Sequence, residues 1–109
     1  LDAERALQLV GGRVDLYQRL LRRFAEHYGA QLPEIGRSLT RGDPDATRQA
    51  AHSIKGASAS VGATRLALLA ETLETAVAAR RPPDEIIPAG HAMLSELESL
   101  VVGLRALGS

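Results

Sequence analysis

Apolar residues recur every three or four positions through almost the whole chain, and no stretch alternates in the two-residue rhythm of a half-buried strand. That regularity restricts the fold to packed helices. The longest stripe comprises Tyr17, Leu20, Leu21, Phe24, Tyr28, Leu32, Ile35 and Leu39. It keeps helical spacing from near Arg13 to Arg41-Gly42, across Gly29 and Pro33. A proline inside a helix removes one hydrogen bond and crowds the preceding turn, so the stripe predicts one helix, kinked near Pro33. A short helix over residues 2–10 precedes it and stops at Gly11-Gly12. After it, Asp43, Pro44 and Asp45 supply a cap, a preset first residue and a charge suited to a helix start. This third helix is expected to reach Val61, with Gly62 as its C-terminal cap. A fourth, over 64–80, would bury Leu66, Leu69, Ala70, Leu73 and Val77. The run "RRPPDE" then forces a turn. A last helix over 84–107 would bury Leu94, Leu97, Leu100, Val101 and Leu104, with Pro88 and Gly90 disturbing its first turns.

Loops this short make neighbouring helices antiparallel. The expected fold is therefore all-α: an antiparallel up-down four-helix bundle with a short extra N-terminal helix, one domain over residues 1–109. Only Tyr17, Phe24 and Tyr28 are aromatic, so the core must be built mainly from Leu, Val, Ile and Ala.

Composition removes several classes of function. Thirteen basic and thirteen acidic residues cancel, which argues against nucleic acid as a partner. There is no cysteine, hence no disulfide and no thiolate metal site. No apolar run approaches the ~18 residues of a membrane span, so no direct membrane contact is expected. The opening "LDAERALQLV" is charged early and lacks the form of a signal peptide. It also lacks an initiator methionine, as an excised piece of a longer protein would. There is no glycine-rich nucleotide loop ending in Lys-Ser or Lys-Thr, so autonomous phosphorylation from ATP is not expected. His27 and His91 are not at metal spacing with each other or with His52, and read as plain surface residues. Glu71 and Glu74 share a predicted helix face. With no apolar cleft indicated around them, they read as solvated surface.

The informative stretch is "AHSIKGASASVG", residues 51–62. On a helical wheel of about 100° per residue, Ala50, Ile54, Ala57 and Val61 form one arc, taken as the core face. His52 lies opposite, among Arg48, Gln49, Lys55, Gly56 and Ala59. A lone histidine on such a face is ordinarily just a solvated side chain. Three neighbours argue otherwise. Gly56 costs about 1 kcal/mol relative to alanine in a helix, and on an outward face its return is clearance for another surface. Lys55, one turn away, favours the neutral ring with a free lone pair, a nucleophile. Lys55 and Arg48 together can also pair with an anionic group carried on that ring. An exposed nucleophile with anion-stabilising neighbours and room for a partner suits a phosphoryl group.

The run His52-Ser53-Ile54-Lys55-Gly56, preceded by Ala51 and followed by Gly62, resembles the histidine-containing phosphotransfer domains of bacterial phosphorelays. "LDAERALQLVGGRVDLYQRLLRRF" resembles the opening of such domains, and "RGDPDATRQAAHSIKGASASVGATRLALLAETLE" their central helix pair. The resemblance implies that His52 accepts the phosphoryl group on its outer ring nitrogen and that Lys55 supports it. Gly56 would permit docking, with Arg48, Gln49 and Ala59 around it. The implied partners are response-regulator receiver domains, which would bring the divalent metal; no cofactor of the chain's own is implied. The resemblance further implies a monomeric cytoplasmic domain, free or in the cytoplasmic part of a membrane-anchored hybrid sensor kinase. Two rivals predict different things. The histidine domain of a chemotaxis-type kinase would be phosphorylated by its own protein's kinase domain. A helical interaction module would keep its partner after His52→Gln. A metal-binding bundle lacks spaced ligands.

Overall fold

The computed structural model describes residues 1–107. Within them are five helices: α1 (Ala3–Leu9), α2 (Val14–Thr40), α3 (Pro44–Ser60), α4 (Thr64–Ala78) and α5 (Pro83–Leu107). Helices α2 to α5 form the bundle. Each packs on its neighbours in sequence, α5 closes back on α2, and the diagonal pairs do not approach one another. α1 lies across one end, against α2 and α3. The all-α four-helix architecture with a short N-terminal helix is the one that the spacing predicts.

Local chemistry explains the boundaries. Asp43 Oδ1 accepts the Ala46 N–H at 3.1 Å and Pro44 takes the first helical position, so α3 starts where a cap and a preset φ coincide. It ends in a tight turn in which the Ala63 N–H reaches back to the Ser58 carbonyl at 2.8 Å. Gly62 holds φ +79° there. A side chain at this position would also strike the Asp2 carbonyl, because the Asp2 N–H is bonded to the Gly62 carbonyl at 2.6 Å. The turn thus anchors the start of the chain as well as joining α3 to α4. α2 runs unbroken through Pro33, as the continuous stripe requires. α5 likewise absorbs Pro88 and begins at Pro83. α4 stops two residues before the expected Arg80. Arg80 instead adopts φ +56°, and the Arg81 N–H closes on the Ala76 carbonyl at 3.0 Å.

The core contains Phe24, Tyr28, Ile54, Leu66, Leu73, Met93, Leu97 and Val101, with Ala51, Ala63 and Ala70 where helices come close. One expectation about α3 needs correction. Its wholly buried positions are Ala51, Ile54 and Ser58, whereas Ala50 and Ala57 are only half-buried. On a helix this rich in alanine and serine, side-chain polarity hardly distinguishes one arc from the next. Close approach to α4 decides the matter, and small residues permit it.

Candidate functional site

α3 is held against α2 by two tyrosines. The Tyr17 hydroxyl donates to the Val61 carbonyl at 2.9 Å. The Tyr28 hydroxyl donates to the Ser53 carbonyl at 3.2 Å and shares a 2.7 Å bond with Ser53 Oγ. The second tie sits next to His52 in sequence and fixes the rotation of α3 where it matters. His52 then points outward with 72% of its side chain exposed.

Its outward position is not free rotation. Nδ1 of His52 lies 2.7 Å from Oε2 of Glu74 on α4. The other carboxylate oxygen, Oε1, accepts from Lys55 Nζ, also at 2.7 Å. Glu74 is the least exposed of the three, at 17% against 37% for Lys55. The hydrogen bond from Lys55 holds its carboxyl below the usual carboxylate range, with a smaller contribution from His52. Reciprocally, Glu74 raises Lys55 above the usual lysine value. An ionised carboxylate only accepts, so the hydrogen lies on Nδ1. In the neutral ring the lone pair is then on Nε2, the nitrogen facing away from the protein.

This corrects two expectations. Glu74 is not solvated surface; it is the residue that organises the site. Nor is Lys55 an isolated cation beside the ring. Its charge is matched by Glu74, so the outward lone pair is set by the Nδ1–H bond and not by a bare ammonium. Glu74 was detectable in principle. In a tight antiparallel hairpin, residues roughly equidistant from the turn face each other, and His52 and Glu74 lie at similar distances from Gly62 along the chain. Glu71, by contrast, is exposed.

The remaining candidates divide into two groups. Gly56 is exposed, and a Cβ built there would meet nothing within 4 Å. Ala59 lines an open groove with Lys55, Arg5, Leu9, Ala67 and Leu68. Leu9 and Leu68 stand 67% and 64% exposed along it, and the spacing analysis singled out neither as surface. Arg48 and Gln49 are exposed on the turn before His52 but do not line this groove. His27 and His91 are exposed, as expected; His27 packs edge-on against Tyr28. Among the described residues, no three His, Cys, Asp or Glu side chains are grouped to hold a metal ion. No helix among them is long and apolar enough to cross a membrane.

The fold and site together are a helical bundle with an outward histidine whose inner nitrogen is held by a carboxylate. The family model for the Hpt domain matches residues 19–106, and the chain belongs to that family. Neither a curated protein nor a solved structure matched it. Membership identifies the coarse function as histidine phosphotransfer in a two-component phosphorelay.

Proposed function

We propose that His52 accepts a phosphoryl group from the aspartyl phosphate of one receiver domain and passes it to the aspartate of another. The observation that carries this reading is the bond from Nδ1 to Glu74 with Nε2 left outward. In the forward step the Nε2 lone pair attacks phosphorus. The bond from phosphorus to the aspartyl oxygen breaks, and the carboxylate leaves with the electron pair. No proton has to move during the attack. Positive charge grows on the ring as the N–P bond forms, and Glu74 faces that charge across the Nδ1–H bond. The reverse step discharges it.

Phosphoryl transfer depends on in-line positioning and charge stabilisation more than on covalent machinery. Here α3 supplies a stiff mount, Gly56 supplies clearance, and the groove past Lys55 offers Leu9 and Leu68 for docking. The receiver would bring the acidic pocket and its divalent metal. The test is to mix the purified chain with a phosphorylated receiver and assay acid-labile, alkali-stable phosphate. Wild type should acquire it and His52→Gln should not. Equal labelling of the variant would place the acceptor elsewhere.

A further inference from the structure

The site holds one cation close to His52 but gives it two anions to serve. Lys55 Nζ is committed to Glu74 Oε1 at 2.7 Å while His52 Nδ1 occupies Oε2. Nε2 lies across the imidazole from Nδ1, so a phosphoryl group on Nε2 would project away from the carboxylate. Lys55 would then face two anions on different sides of the ring, and the more highly charged of them would draw its ammonium more strongly.

Building on the phosphotransfer reading, we propose that Glu74 is a positioning residue that keeps Lys55 in reserve: Lys55 rests on Glu74 in the free domain, swings to the phosphoryl oxygens when His52 is phosphorylated, and returns when the group leaves. Three observations support the exchange. Lys55 is rooted one turn from His52 on a flexible four-carbon stem, and over a third of its side chain is open to solvent. A phosphoryl group carries about −1.5 to −2 charge near neutral pH, against one for Glu74. And Glu74 already receives His52 Nδ1 on its other oxygen, Oε2, at 2.7 Å, so the carboxylate would retain a partner after Lys55 departs. Glu71, one turn away on α4 and lining the same groove, also attracts Lys55 but makes no hydrogen bond with it. Arg48, exposed on the turn of α3 before His52, is the competing candidate for the phosphoryl group. The exchange involves no bond making or breaking beyond hydrogen bonds. It leaves the phosphoryl group held by a cation that Glu74 continually reclaims, which suits a carrier that must give its cargo up.

The test uses the full chain phosphorylated chemically with phosphoramidate, so that no receiver is needed. Nε2 attacks the phosphorus of N-protonated phosphoramidate, the P–N bond breaks, and neutral ammonia leaves with its electron pair. Two quantities are read by NMR: the Lys55 15Nζ resonance before and after phosphorylation, and the pH midpoint of the 31P shift. The 15Nζ resonance should move on phosphorylation and stay put in His52→Gln. The 31P midpoint should rise in Lys55→Gln by roughly half a pH unit or more, and fall below wild type in Glu74→Gln, where Lys55 has no rival. An unmoved 15Nζ resonance, or identical midpoints in wild type and Lys55→Gln, overturns the exchange. A midpoint that responds to Arg48→Gln instead assigns the role to Arg48 and overturns it equally. Failure of receiver-dependent labelling would sink the phosphotransfer reading, and is scored separately from these shifts.

Discussion

Gly56 and Gly90 are both helical glycines, and the surroundings of each show what it is for. Against Gly90, at the α2–α5 contact, Leu39 packs so closely that an added Cβ would fall 2.5 Å from Cδ2 and 3.1 Å from Cγ. Gly29, in the same interface, has Val101 and the Arg105 guanidinium over it. These glycines give up helix stability in return for close packing. Gly56, on the face of α3 that carries His52, has nothing over it. It costs about as much helix propensity and no contact within the bundle recovers it. Gly29 and Gly90 serve packing between α2 and α5, whereas Gly56, like Gly103 on α5, leaves open space, and of those two only Gly56 lies one turn from His52.

Matched substitutions can break that contrast. Gly90→Ala should have the largest effect on folding. Leu39 is buried and cannot retreat into solvent, so overpacking of about 1–3 kcal/mol outweighs a propensity gain of about 1 kcal/mol. Denaturant unfolding should show a net loss. Gly56→Ala should shift stability the opposite way, a gain of up to about 1 kcal/mol in the same experiment. It should also slow transfer from a phosphorylated receiver by roughly tenfold, the equivalent of about 1.4 kcal/mol of barrier, while leaving chemical phosphorylation by phosphoramidate unchanged. Equal signs for the two glycines would remove the distinction between packing and clearance.

The smallest effect concerns Glu74. Its carboxyl is held below the ordinary value of 4.5, mainly by Lys55. A depressed carboxyl contributes stability that is complete above its unfolded value and is lost as pH falls through its folded one. The difference in thermal midpoint between wild type and Glu74→Gln should therefore be flat above about pH 4.5 and shrink below it. A difference that grew on acidification would mean that the Lys55–Glu74 pair is not formed.

Much of this was legible in the residues alone. Helical spacing, the Asp43-Pro44 start and the Gly62 turn determine the bundle and put His52 outward. What one helix wheel cannot show is the relation between two helices. Glu74 became visible only once α3 and α4 were paired, because its role comes from facing His52 and Lys55 across the hairpin. For the same reason the buried arc of α3 was misjudged by one position, since its alanines and serines fit either arc. Leu9 and Leu68 belong to none of the stripes read from spacing, and only the folded structure shows that the two exposed side chains line one groove.

The most direct measurement is to phosphorylate the 15N-labelled chain with a phosphorylated receiver and locate the phosphorus by coupling to ring nitrogens. A phosphorus–nitrogen bond at Nε2 of His52, with the hydrogen on Nδ1, is the predicted result. Phosphorus on Nδ1, or on any other residue, would contradict it.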